Sequence, residues 1–262
     1  NTPLKPIQRI GIDELSLKKK HRQFIAVIID HDNHRVLEVL KNREKTTVAA
    51  YLRKAKEEGV LATVTEVTID MWDGYDTAAR EVFGAQVVVT IDRFHVMKNF
   101  QECLTGARRE LQRKLSDAER EELKGSRWLW VTNWENLSAR KQEELTRLKA
   151  RFPELGKLAD QREALRSLFN DPTIKTPTAG RQRLQAWIEQ AGSLGLASLN
   201  KFFKTLTNWM DKIANYFHSR SSNGRTEGFN HGLRSILWRA YGMTNFENFR
   251  LRVLHCFGFA AK

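Results

Sequence analysis

Apolar and polar positions along the first hundred residues alternate in short blocks that predict strands interleaved with short helices. Residues 7–17 read as a first strand. The run FIAVII at 24–29 is continuously apolar, as expected of a strand buried on both faces. Asp30-His31-Asp32-Asn33-His34 is a polar turn, and RVLEVL at 35–40 returns as a third strand. Thr46 or Thr47 is positioned to cap a helix running to about residue 58, closed by Gly59. VTEVTID at 64–70 gives a fourth strand, 73–83 a helix ended by Gly84, and QVVVTID at 86–92 a fifth strand. A hairpin-linked trio followed by two crossover units makes a mixed α/β sheet.

Beyond Arg93 the pattern turns helical. Residues 93–115, 117–124, 138–151, 159–170, 178–191 and 196–217 are rich in Leu, Glu, Arg and Lys, with breaks expected at Gly125, Pro153, Gly156, Pro172, Pro177, Gly192 and Gly195. A last helix is expected from about Ser222 to Arg239. The reading is of an α/β core in two parts, 1–104 and 218–262, with an all-helical insertion at 105–217.

Charge adds a partner to this picture. The formal net charge is +13, with charged residues at 29% and hydrophobic ones at 41%. The apolar share suffices for a core, and a folded domain this basic points to a polyanion, nucleic acid first. Cys103 and Cys256 form no Cys-x-x-Cys pair, so neither a disulfide framework nor a zinc finger is readable, and a reducing compartment fits. No apolar run reaches the roughly 18 residues of a membrane helix. The chain opens at Asn1 without Met, which reads as a fragment of something longer.

Three strands carry an aspartate where a strand does not favour one. Asp13 interrupts an apolar stretch, Asp70 ends VTEVTID, and Asp92 ends QVVVTID. A buried carboxylate needs a partner or a metal, and strand C-terminal ends are where open α/β sheets place their sites. Turn formation or helix capping is the plainer alternative, strongest for Asp70 and Asp92. Two Mg²⁺ ions about 4 Å apart need several carboxylate oxygens converging from different elements, and composition does not select the third acid.

Three long segments, IGIDELSLKKKHRQFIAVIID, VTIDMWDGYDTAAREVFGAQVVVTIDRFHVMKN and SSNGRTEGFNHGLRSILWRAYGMTNFENFRLRVL, closely resemble bacterial insertion-sequence transposases of the ISL-three family. The resemblance covers both ends of the chain; the middle block matches only in character. It implies a ribonuclease H-like core with a catalytic triad of two aspartates and a glutamate, which fall here on Asp13, Asp70 and Glu227. These would hold two Mg²⁺ (or Mn²⁺) ions. Asp92 and His95, in DRFHV, would support the site, although a capping Asp and a core His are equally readable.

The same resemblance implies DNA as partner, both transposon ends and target, a homodimer in the active complex, and a cytoplasmic, nucleoid-associated location. Neither a membrane nor a small-molecule substrate is expected. The family generally carries an N-terminal zinc-binding and helix-turn-helix region that reads the element's ends. Lys18, Lys19, Arg220, Arg225, Asn230, Arg234 and Arg239 are the DNA-binding candidates. Glu227, Asn230 and Arg234 recur at i, i+3 and i+7 of one helix face. Trp128, Trp130 and Trp134 could stack on an unpaired base or form the insertion's own core. Besides transposition, two readings stay open: a ribonuclease H-like nuclease without strand transfer, and a catalytically retired DNA-binding derivative.

Overall fold

The structure is a computed structural model. It describes residues 4–18, 23–221, 224–239 and 245–258, and their side chains apart from those of 17, 18, 23, 224–227 and 230. The chain divides into two compact units, Asn1–Phe94 with Ser219–Lys262, and His95–His218.

The first unit is built on a five-stranded mixed sheet. Its strands are β1 (Arg9–Lys18), β2 (Gln23–Asp30), β3 (Arg35–Leu40), β4 (Glu66–Ile69) and β5 (Val88–Ile91), in the order β3-β2-β1-β4-β5. The hairpin-linked β1, β2 and β3 pair antiparallel, whereas β4 and β5 add to β1 in parallel. The crossovers between them are α1 (Lys45–Glu57) and α2 (Asp73–Phe83), which pack on one another. Glu44 occupies the N-cap of α1 without a side-chain bond. Thr46 and Thr47 therefore lie inside the first turn and do not cap it.

Side-chain alternation sorts the sheet into two faces. Leu15, Ile25, Val27, Ile29 and Val39 join Leu233, Phe249 and Val253 in one buried cluster. The last three come from α11 (Gly224–Arg239) and α12 (Phe246–Phe257), so these C-terminal helices cover that face. Ile10, Ile12, Ala26 and Ile28 go to the opposite face and are buried as completely. Each buried Ile, Leu, Val or Phe among them contributes on the order of 1.5–3 kcal/mol relative to exposure. Arg250 of α12 grips Glu38 of β3 through Nε at 2.6 Å and a terminal nitrogen at 2.5 Å, which fixes the outer edge of this layer.

The β2–β3 turn is a polar knot. The Asp30 carboxylate accepts from the Asp32 and Asn33 backbone N–H groups, the Asn33 amide and Arg35 Nε. Asp32 accepts from the backbone N–H of Gln8 and Arg9 and from the Arg9 guanidinium. Among them His31 is pushed down to about 4, by burial first and by the positive charge of Arg9 second. In the unfolded chain its imidazole takes up a proton near pH 6.5. The unfolded state therefore binds the extra proton first, and stability falls as pH drops from about 6.5 toward 4. The full effect is about 3 kcal/mol. Urea unfolding at pH 7 and pH 4.5 should show a larger stability loss for the protein than for its His31→Phe variant; equal losses would remove His31 from the account.

The second unit is all-helical. It takes in α3 (Arg93–Lys114) from His95 onward, α4 (Asp117–Leu123), α5 (Arg127–Val131), α6 (Ala139–Arg151), α7 (Pro153–Asn170), α8 (Pro177–Gly192), α9 (Asn200–Asn208) and α10 (Met210–Ser219) as far as His218. Its core is aromatic: Phe100 meets Phe202 edge-on with centroids 5.0 Å apart, and Phe169 stacks on Phe217 at 5.6 Å. α8 comes so close at Gly180 that a Cβ there would lie 2.2 Å from the Phe217 ring. The expected single helix at 196–217 is in fact a 3-10 turn followed by α9 and α10, which break at Trp209. Breaks do fall at Pro153 and Pro177, and each proline begins the helix that follows, where a missing N–H costs nothing, whereas Gly156 lies inside α7 and breaks nothing.

Candidate active site

The parallel ladder lines up the three sequence-marked aspartates. Arg9, Ile10 and Gly11 of β1 face Glu66, Val67 and Thr68 of β4. Carrying that register two residues further sets Asp13 level with Asp70. β4 and β5 pair through Ile69 and Ile91, and the Asp92 N–H still donates to the Ile69 carbonyl at 3.3 Å. Asp92 therefore stands level with Asp70 in turn. One row crosses three neighbouring strands, and all three of its members are carboxylates.

Their surroundings differ. Asp13 is 6% exposed and accepts from the Glu14 backbone N–H at 2.7 Å. It alternates with Ile12 and Glu14, so it shares its face with Leu15, the face that α11 covers. Asp70 is half-buried and accepts from the Met71 N–H at 2.6 Å. Asp92 is fully buried, and its carboxylate accepts the Phe94 N–H at 3.0 Å, a capping bond on the first turn of α3. His95, also buried, follows on that turn, but the boundary between the two units separates it from Asp92.

A cluster that the sequence did not reveal lies on the opposite face of the sheet, around Glu14. Arg43 pairs with Glu14, the neighbour of Asp13, and lies 4.4 Å from the Phe24 ring and 5.9 Å from that of Trp72. Trp72 meets Tyr75 edge-on at 4.6 Å. Gly74 makes room for it, since a Cβ there would lie 2.3 Å from the indole. The Tyr75 phenol is held far above its usual range, by burial first and then by the negative charges of Glu14, Asp13 and Asp70, with Arg43 opposing. The charges of Asp13 and Asp70 thus both bear on this one buried phenol. The spacing of TIDMWDGY carried no signal for Arg43, which arrives from the β3–α1 connection.

The third acid of the expected triad, Glu227, lies on α11 one turn from its start; its side chain is outside the described residues. Among the described residues no group of three or more His, Cys, Asp or Glu is placed to hold a metal ion. The pair that is described still fits a hard divalent cation: both are carboxylates, level in register, on neighbouring strands.

The basic candidates are distributed unevenly. Lys18 ends β1 with its side chain undescribed, and Lys19 lies outside the described residues, as do the side chains of Arg225 and Asn230. Arg220 is half-buried with φ of +54°, a left-handed conformation unusual for a residue other than glycine. Arg234 is half-buried and Arg239 exposed, both on α11. Trp238 between them, not singled out from the sequence, is 73% exposed. Of the three tryptophans proposed for stacking, Trp130 is buried and donates from Nε1 to Ser126 Oγ at 3.1 Å, so it belongs to the core of its unit. Trp128 and Trp134 remain exposed, each beside a cation, Arg127 and Lys149 respectively. No described helix is long and apolar enough to cross a membrane.

Comparison with known proteins places this arrangement in context. A family model described as "Transposase", of the ISL-three group, matches residues 10–253. The transposase for insertion sequence element IS1001 of Bordetella parapertussis is 27% identical over 254 residues, which is 96% of this chain and 61% of that protein. The transposase for IS1557 of Mycobacterium tuberculosis is 27% identical over 208 residues, 71% of this chain and 45% of the relative. The chain thus spans about half to three-fifths of the length of these relatives. No solved structure matches it. With the family match running from β1 into α12, the chain belongs to the ISL-three family of insertion-sequence transposases.

Proposed function

We propose that this chain is the catalytic domain of a DNA transposase with a ribonuclease H-like core, residues 1–104 and 218–262, interrupted by a helical insertion at 105–217. Asp13, Asp70 and Glu227 would hold two divalent ions, Mg²⁺ or Mn²⁺. The observation that carries the reading is that Asp13 and Asp70 stand level on neighbouring parallel strands, with Asp13 on the face covered by the helix that bears Glu227. When bound, the ions would activate the attacking oxygen and neutralise charge on the phosphate and leaving oxygen. The rigid strands keep the aspartates from following a bound ion outward. α11, seated on the sheet by Leu233, carries position 227, the third acid of the proposed site. Asp92 holds the first turn of α3 beside the row, and His95, three residues on in the sequence, stays the second supporting candidate.

The activity that follows is cleavage at transposon ends and attack of the freed 3′-hydroxyl on target DNA. Both are displacements at phosphorus in which only the nucleophile changes. Lys18, Lys19, Arg220, Arg225, Asn230, Arg234 and Arg239 would hold the backbone, with Trp238, three turns along α11 from position 227, against the same strand. Two copies would act together, one on each end.

The decisive experiment offers an oligonucleotide ending in the element's terminal sequence, with a free 3′-hydroxyl, and a supercoiled plasmid. The proposal expects the oligonucleotide to become covalently joined to the plasmid. Nicking without joining would favour a nuclease. For the DNA surface, Arg239→Ala should weaken binding severalfold for all sequences alike and lower the salt-dependence slope by about one. A filter-binding series from 50 to 200 mM salt measures both, and an unchanged slope would place Arg239 off the DNA.

A further inference from the structure

The strand that carries Asp70 begins with a carboxylate that neither the core nor the triad uses. Glu66 is 7% exposed. Along β4, Glu66, Thr68 and Asp70 alternate with Val67 and Ile69, so Glu66 shares a face with Asp70. Its Oε1 accepts the Thr90 hydroxyl of β5 at 2.8 Å and the Ser219 hydroxyl at 2.7 Å. Ser219 lies 153 positions downstream, at the very point where the chain returns to this unit. The Ser219 oxygen in turn accepts the Ser221 N–H at 3.1 Å, and Arg220 between them holds the left-handed φ of +54°. The backbone is thus folded into a hook, and the hook hangs on Glu66. Three residues after Ser221 α11 begins, and Glu227 is the fourth residue of that helix.

An apolar residue would satisfy the burial at position 66 without a desolvated charge. What a carboxylate adds is two directed bonds, one to each of two separate elements, β5 and the returning chain. The strand that ends in Asp70 and the segment that leads to Glu227 are therefore tied to one side chain.

We propose that Glu66 is a positioning residue: by holding Ser219 it sets where α11 leaves the sheet, and so where Glu227 stands relative to Asp13 and Asp70. The role assigned to Glu227 rests on the function proposed above; the hook itself does not. Ser219→Ala removes the hook and leaves the Glu66–Thr90 bond in place, and Ser219→Thr keeps the hydroxyl. Hydrogen–deuterium exchange of peptides spanning 219–230 should quicken about tenfold in Ser219→Ala and return toward the parent rate in Ser219→Thr. The Mg²⁺ concentration for half-maximal cleavage should rise about tenfold in Ser219→Ala, while DNA affinity and thermal midpoint stay close to those of the parent. Unchanged exchange in 219–230 would overturn the hook. Faster exchange with unchanged Mg²⁺ dependence would overturn its catalytic meaning. If Glu227→Gln cleaves as well as the parent, the role of Glu227 fails, and the exchange result alone judges the hook.

Discussion

Asp13→Asn and Asp70→Asn are each expected to reduce metal-dependent DNA cleavage at least a thousandfold, while the metal-free proteins stay as stable as the parent or gain stability. The rate loss, about 4 kcal/mol of transition-state stabilisation, is what losing one anionic ligand of a two-metal site entails. The stability prediction follows from the same geometry. Carried on from Gly11 and Thr68, the register sets the two carboxylates on neighbouring strands, and both raise the cost of charge at the buried Tyr75. An asparagine keeps the oxygen that accepts the Glu14 or Met71 N–H and discards the charge. Asp92→Asn should behave differently. Its carboxylate caps α3 and is fully buried, so the variant should lose stability, and its loss of activity should be well short of the other two. Single-turnover cleavage with thermal melts of the metal-free proteins reads both. The reverse ranking, with Asp92→Asn inactive and Asp70→Asn active, would move the second metal-binding acid to Asp92.

Leu233→Ala is expected to cost about 2–5 kcal/mol of stability. Leu233 is fully buried where α11 meets the sheet, in one cluster with Leu15, Val27 and Phe249. Truncation leaves a cavity that the β-branched neighbours on rigid strands are poorly placed to fill. The nearby Gly232 reports the same tight seating: a Cβ there would lie 2.4 Å from the Phe257 ring of α12. Since α11 carries position 227, the variant should also lose cleavage activity beyond its unfolded fraction. Denaturant unfolding measures the first effect. A cost below about 1 kcal/mol would mean that α11 is not seated as described.

The sheet was legible because its signals are local. Period-two alternation, the FIAVII run and the polar turn at 30–34 marked the strands and their order, and β3 and α2 fall where the pattern puts them. Asp13 stood out because an acid among buried aliphatics is rarely accidental. The alternation in VTEVTID also contained Glu66 and Thr68, but sequence alone could not say which face would be covered by helix and which would meet a distant serine. Arg43 and Ser219 were invisible for the same reason: each reaches its partner, Glu14 or Glu66, from a separate part of the chain. The helical half was harder. Residues 196–217 keep helical spacing across Trp209 through Phe202, Leu206, Met210 and Ile213, so the break has no proline or glycine to announce it. The prolines at 153 and 177 did mark breaks, each sitting where a first turn tolerates it, but Gly156, expected to be a break, lies inside α7. Glu227 was chosen by family resemblance, since nothing in composition distinguishes it from other glutamates.

The central claim is that Asp13, Asp70 and Glu227 form one metal-dependent site. It is tested most directly by nicking of supercoiled plasmid in Mg²⁺ or Mn²⁺, comparing the protein with Glu227→Gln at equal DNA binding. The account predicts metal-dependent nicking by the parent and its loss, a thousandfold or so, in the variant. Equal nicking by both proteins would contradict it, because DNA would then be cut without the third acid of the proposed site.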